Sequence, residues 1–222
     1  MDSRRELRKP GFPAQPACKW LSLFVVSCAI YFLLWIPESQ PSCFSAVVKC
    51  LPVLSLVLFL RSLPSSLGST SLLQGALLCS AVGDACLIWP DAFLYGVGAF
   101  AVAHLFYIWN FGFTPLKLCL LLPIALVTVL YFSLLLLQLS PDMVLPLAGY
   151  GLILATLLWR GLALGGIAGW GALLFTFSDC VLAWSTFVRP LPHSRLVVMS
   201  TYYAAQALLA LTATQGSRLK AS

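Results

Sequence analysis

Apolar residues follow one another almost without pause from Trp20 to about Thr214, interrupted only by short clusters rich in Pro, Gly and charge. The clusters are IPESQP, RSLPSSLGS, WPD, GFTP, SPD, RGLALGG and VRPLPHSR, each carrying residues that end helices. A helix needs ~20 apolar residues to cross the hydrocarbon core of a bilayer. Read against that length, the pattern predicts about eight spans, near 20–36, 43–60, 71–89, 92–111, 115–138, 143–160, 166–187 and 194–213. The fold class is therefore all-α, a polytopic transmembrane bundle of about eight helices. The expected organisation is a basic, Pro-containing cytoplasmic arm over 1–19, a transmembrane domain over 20–213, and a short polar cytoplasmic tail over 214–222. The arm is expected to be disordered.

Composition agrees with the pattern. Hydrophobic residues make up 60% of the 222 residues and charged ones only 9%, far below the ~25% of soluble domains. The net charge of +6 would otherwise suggest nucleic acid. Here Lys and Arg gather at the ends of apolar runs, as the positive-inside bias requires, so no nucleic-acid partner is expected. An even number of spans puts both termini on one side. That side collects Arg4, Arg5, Arg8, Lys9, Lys19, Arg61, Lys117, Arg160, Arg218 and Lys220, against Arg189 and Arg195 on the other. Both termini are predicted to be cytoplasmic. The eight Cys show no CxxC spacing and read as small core hydrophobes. The first run, following a basic arm, reads as a signal anchor.

The chain echoes itself. Residues 75–89 are GALLCSAVGDACLIW and 171–184 are GALLFTFSDCVLAW; each has GALL, an Asp, then Asp-x-x-Leu-x-Trp. Arg61 and Arg160 close the second and sixth spans at nearly matching positions. These features predict a 4+4 internal duplication with parallel halves.

Ionisable groups inside the spans stand out, since each costs at least ~2.5–3.5 kcal/mol at mid-membrane depth and such groups usually face the bundle interior. They are Lys49, Asp84, His104 and Asp179. Counting the helical rise from the interfacial Trp residues puts both Asp ~7–8 Å into the membrane, with Lys49 at ~9 Å. Polar neighbours share their helix faces at spacings of three or four: Ser80 with Asp84, His104 with Tyr107, and Tyr203 with Gln206. One reading is purely structural, a Lys–Asp pair holding helices together. Another is a His104/Asp84/Asp179 metal site of mixed N/O ligation. A Ser nucleophile, Ser80 or Ser178 beside His104, lacks a G-x-S-x-G elbow. The repeat favours a pair of carboxylates working as general acid and base.

The segments VKCLPVL, CSAVGDACLIWP, AFAVAHLFYIW, GALLFTFSDCVLAW and TYYAAQ together resemble the lysoplasmalogenases of the YhhN-like family of multi-spanning membrane proteins, of the vertebrate liver and gut type. The resemblance covers nearly everything after residue 20. It implies hydrolysis of the vinyl ether of a lysophospholipid substrate, 1-alkenyl-glycerophosphocholine or -ethanolamine, to a fatty aldehyde and the glycerophospho-headgroup. It also implies the endoplasmic reticulum membrane, membrane lipid as surroundings, and no cofactor or metal. On this reading Asp84, Asp179, His104 and Lys49 are catalytic, and Ser80, Tyr107, Ser178, Tyr203 and Gln206 bind substrate. A vinyl ether is cleaved by acid, so one carboxyl must stay protonated while another stays ionised beside Lys49. His104 and Tyr107 would position water or the phosphate ester. The alternative is a transporter or flippase with a midplane polar site. A homodimer remains open.

Overall fold

The computed structural model describes residues 15–37, 41–63 and 70–219. Most of the basic arm and the last residues of the tail lie outside them. Among the described residues there are eight α-helices: α1 (Gln15–Leu34), α2 (Cys43–Arg61), α3 (Thr70–Cys86), α4 (Phe93–Phe111), α5 (Leu121–Leu136), α6 (Pro141–Leu164), α7 (Gly166–Phe187) and α8 (Ser194–Leu219). There is one for each apolar run. Among the described residues six segments are long and apolar enough to cross a bilayer; the apolar stretch of α1, Lys19–Leu34, and the 17-residue α3 are shorter. The protein is a multi-pass membrane protein.

The helix ends follow local chemistry. Ser42 caps α2 through a reciprocal pair with Ser45, satisfying donors that a helix start leaves open. Pro141 opens α6 at the position where its missing N–H costs nothing. Three ends differ from the sequence pattern. Trp89 precedes Pro90, which disfavours helical backbone there, so α3 stops at Cys86 and Trp89 is extended. Residues 115–120, expected in the fifth span, form a loop and a 3-10 turn with Lys117 at φ 33°. Finally, α6 runs past Arg160 to Leu164 and breaks only at Gly165, whose φ of 77° suits glycine alone.

That last shift moves Arg160 from a helix end into the interior. It is fully buried, donating from Nε to the Gly112 carbonyl and from Nη1 to the Pro115 carbonyl, with Phe113 and Trp159 stacked on the guanidinium. Arg61 instead stays exposed at the end of α2. The two arginines are not structural counterparts.

The packing order is the same in the two halves. Consecutive helices pack within each half (α1 on α2, α2 on α3, α3 on α4; α5 on α6, α6 on α7, α7 on α8), and the halves meet where α4 packs on α6 and α8 on α2. Six helices form a ring, with α1 outside α2 and α5 outside α6. Only Ile124 and Leu135 of α5 are buried, so its remaining Leu and Val side chains are free to face lipid. The ring interior is filled by Leu56, Phe59, Leu77, Leu157, Phe175 and Leu209, all wholly buried.

Candidate active site

Lys49 lies in the second turn of α2, ahead of Pro52, which cannot donate to the helix ladder. The Tyr203 hydroxyl donates to the Lys49 carbonyl at 2.8 Å, and the Cys50 thiol donates to the Ala81 carbonyl at 3.2 Å. These bonds fix α2 against α8 and α3, and with them the direction of the Lys49 side chain. Its ammonium stands 3.8 Å from Oδ1 of Asp84. Asp84, in the last turn of α3, is 2% exposed, and its Oδ2 accepts a 2.6 Å hydrogen bond from the Tyr202 hydroxyl.

Asp179 lies further inside its helix, eight residues before the end of α7. Its Oδ2 accepts from the Tyr150 hydroxyl at 2.5 Å. No Lys or Arg forms an ion pair with it among the described residues. The spacing from the GALL glycine to the Asp is nine residues in α3 and eight in α7. One extra residue turns a side chain by ~100° about the helix axis. Both carboxylates nonetheless face the preceding helix, Asp84 toward Lys49 of α2 and Asp179 toward Tyr150 of α6, and Asp84 also meets Tyr202 of α8.

Both carboxylates line one cavity of about 630 Å³. It extends along α8 from Ser194 to Tyr202 and along α7 from Phe187 to Ser178. Those stretches correspond to ~12–14 Å of helix, close to half the hydrocarbon thickness. Its mouth lies at the bundle end where α1, α3 and α7 finish, among Ile36, Pro37, Pro41, Trp89, Pro90, Phe187 and Ser194. Apolar walls from Leu87, Phe93, Phe100, Leu147 and Leu182 surround the polar floor. Such a cavity suits a ligand with a long apolar part and a few polar contacts.

Of the residues picked out from the sequence, Lys49, Asp84, Ser178 and Asp179 line this cavity; Ser80, His104, Tyr107, Tyr203 and Gln206 do not. His104 is fully buried below it, edge-on to Phe175 at 4.6 Å and tilted against Tyr150 at 5.4 Å. Tyr107 donates to Gln206 Oε1 at 2.5 Å in the same buried layer, near Ser80. These side chains support the floor without reaching the open space, so the expected placement of water or phosphate by His104 and Tyr107 is not what the packing offers. Ser178 donates to the Val198 carbonyl at 3.0 Å, bonding α7 to α8 rather than forming a nucleophile–base pair. Among the described residues no three His, Cys, Asp or Glu side chains gather as a metal site would require.

Three residues in the cavity wall went unnoticed in the sequence. Tyr150 and Tyr202 hold the two carboxylates, and Arg195 stands at the mouth. A tyrosine in a span ordinarily reads as an interfacial belt residue. Tyr150 lies nine residues from the start of α6, ~13 Å along the helix, and that depth was the available clue.

Residues 44–213 match the YhhN family. The pig lysoplasmalogenase TMEM86B (Sus scrofa) is 62% identical over 96% of this chain and 95% of its own length. The human TMEM86B (Homo sapiens) is 65% identical over 88% of this chain and 87% of its own. The human lysoplasmalogenase TMEM86A is 40% identical, with 89% of each chain covered. No solved structure matches.

Proposed function

The chain belongs to the YhhN family, and from that premise we propose that it is a lysoplasmalogenase, hydrolysing the vinyl ether of 1-alkenyl-glycerophospholipids inside the membrane. The observation that carries the mechanism is the unequal environment of two carboxylates in one apolar cavity.

The reaction adds water across R–CH=CH–O–R′ to give R–CH₂–CHO and HO–R′. Its difficult step is protonation of the β-carbon, which leaves an oxocarbenium ion. Asp179, hydrogen-bonded by a neutral tyrosine and facing no cation, is suited to hold the proton and deliver it to carbon. Asp84, beside the Lys49 ammonium at 3.8 Å, is assigned the part of the carboxylate. It stabilises the oxocarbenium charge and takes a proton from the water that attacks it. The hemiacetal then collapses to aldehyde and alcohol, Asp84 passing its proton to the departing alcohol oxygen and Asp179 taking the hemiacetal hydroxyl proton, which restores both groups. This division of labour between two carboxyl groups is the one used in glycoside hydrolysis. The buried layer beneath, with His104 and Tyr107, keeps the floor rigid and closed.

Among the described residues Lys19, Arg61 and Lys117 lie at the end of the bundle away from the cavity, which supports cytoplasmic termini and a mouth on the opposite face. In the endoplasmic reticulum that face is the lumenal one. A glycosylation acceptor grafted into the 188–193 connection would be modified under this topology, and one grafted at either terminus would not.

The test of function is aldehyde release from 1-alkenyl-glycerophosphocholine by purified protein in detergent. Turnover without a second compartment identifies an enzyme. Absence of aldehyde with folded protein rejects the proposal.

A further inference from the structure

We propose that the alkenyl chain of the substrate leaves the cavity sideways, through the seam between α4 and α6 above Tyr150, so that its far end stays in the membrane during the reaction. This rests on the lysoplasmalogenase reading and adds a chain-binding subsite to it.

The reactive bond joins the chain to the glycerol. When it meets the two carboxylates, the polar part of the lipid and the chain leave it in different directions. A charged phosphate is costly to bury, which sends the glycerophospho part to the mouth. The whole chain then lies beyond the carboxylates. A lipid chain spans one leaflet, ~15 Å of the ~30 Å hydrocarbon core. Below the carboxylates there is no such room. Phe175 closes the floor, packed edge-on to Tyr202 at 5.4 Å, to His104 at 4.6 Å and to Phe100 at 6.3 Å. Both Phe175 and His104 are wholly buried.

Five of the six seams in the ring are closed at the level of the cavity. Between α2 and α3, the Cys50 thiol bonds the Ala81 carbonyl and Lys49 meets Asp84. The α3 and α4 helices lie so close that a Cβ on Gly83 would come 2.6 Å from the Phe100 ring. Between α7 and α8, Ser178 donates to the Val198 carbonyl at 3.0 Å and Ser185 to the Ser194 hydroxyl at 3.1 Å. Tyr203 bonds α8 to the Lys49 carbonyl of α2, and α1 lies outside that seam with the Tyr31 and Phe32 rings 5.4 and 6.2 Å from Tyr203. Tyr150 bonds α6 to Asp179 of α7, and α5 lies outside: Tyr131 donates to the Cys180 carbonyl at 2.6 Å, its ring 6.3 Å from Trp184.

The sixth seam differs. From Tyr150 downward α4 and α6 are held together, by His104 against Tyr150 and by Arg160 on the Gly112 carbonyl. Above Tyr150 no hydrogen bond or ring contact joins the two helices among the described residues, and Phe93 packs instead on Phe187 of α7 at 5.6 Å. Each helix presents a stripe to the cavity, Phe93, Val97 and Phe100 on α4 and Met143, Leu147 and Tyr150 on α6. Both stripes step four residues and then three, the spacing of one helix face, and cover ~10.5 Å of rise. The fifth helix, which corresponds to α1 in chain order, packs toward α7 and so leaves this seam uncovered. An apolar chain fits there without displacing a polar contact.

The experiment compares 1-alkenyl-glycerophosphocholine with the same lipid carrying a pyrene ring at the far end of its chain, in the aldehyde assay with purified wild type. A chain that ends outside the bundle keeps kcat/KM within ~2-fold, because the ring exchanges one apolar surrounding for another. A chain enclosed by the protein forces the ring into packed side chains and loses ~10–100-fold, the usual penalty of overpacking, which overturns the proposal. Narrowing the seam gives a second reading. In Val97→Trp, kcat/KM for the long-chain lipid falls by ~10–100-fold, and that for the analogue with a propenyl group in place of the chain falls at least ~10-fold less.

Equal loss on the long and the propenyl lipid, in protein with an unchanged thermal transition, makes Val97 part of an enclosed wall and overturns the seam. If Val97→Trp does not fold, the pyrene comparison decides alone, since it needs only the wild type. If the wild type releases no aldehyde from the untagged lipid, the reading of function itself fails. If it cleaves the untagged lipid and not the tagged one, only the seam falls.

Discussion

Asp84 and Asp179 close the same motif in the two halves of the chain, yet they are held differently. Each is met by a side chain from the preceding helix, Lys49 of α2 for Asp84 and Tyr150 of α6 for Asp179. One partner is a cation and the other a neutral hydroxyl. Asp84 also accepts from Tyr202 of α8. Aligning AVAH of α4 with YAAQ of α8 sets Tyr202 against Phe100, which cannot donate a hydrogen bond. The first half thus contributes a carboxyl beside a cation, and the second one held by a tyrosine hydroxyl. Duplication supplies two copies of a group, and substitution in the surrounding helices makes them chemically distinct.

The severest way to break the comparison is to remove each carboxylate in turn. Asp84→Asn and Asp179→Asn should each lower kcat by ~10²–10⁴-fold in the aldehyde assay, the usual contribution of a positioned acid or base. The double variant should be little worse than either single one, because the groups act as a unit. Asn keeps the shape of the side chain, so the thermal transition of the purified protein should move little. A folded single variant with nearly full activity would show that carboxylate to be structural.

Lys49→Met tests the charged half alone. Loss of a charge-assisted partner is worth ~1.5–3 kcal/mol, so kcat/KM should fall by ~10–100-fold. Combined with Asp84→Asn, it should add almost nothing. An additive loss in that double variant would place Lys49 on the substrate instead.

The tyrosines sharpen the assignment. Tyr202→Phe removes a bond to an ionised group, and Tyr150→Phe a bond to a protonated one. The first should cost ~10-fold in kcat and the second nearer ~5-fold, since bonds to charged groups are roughly twice as strong. The reverse order would exchange the roles of the two Asp residues.

The smallest effect concerns the GALL glycines. A Cβ on Gly171 would lie 2.8 Å from a Leu209 methyl, whereas one on Gly75 would touch the Phe106 ring at an ordinary 3.4 Å. Gly171→Ala should destabilise by about 1 kcal/mol, read as a lowered thermal midpoint. Gly75→Ala should be neutral or slightly stabilising, as expected for Ala in a helix interior.

Much of this was legible in the sequence because a membrane simplifies the code. Helices are the default spanning element in a bilayer, and a charge in an apolar run must be accommodated. Eight runs gave eight helices, and Lys49, Asp84 and Asp179 came together in one cavity. What remained hidden depends on rotation about a helix axis. His104 was conspicuous as a lone ionisable group, yet it points into packed aromatic rings. Arg160 looked like an end-of-helix charge, but α6 continues past it and the loop folds back onto its guanidinium. Tyr150 and Tyr202 are unremarkable apolar-span residues until their hydroxyls are placed against a carboxylate.

The unlike partners of Asp84 and Asp179 give the cavity a direction. Two identical half-sites would accept a substrate either way round with the same result. Here one carboxyl faces an ammonium and the other a tyrosine hydroxyl, so exchanging the two ends of the site is not neutral.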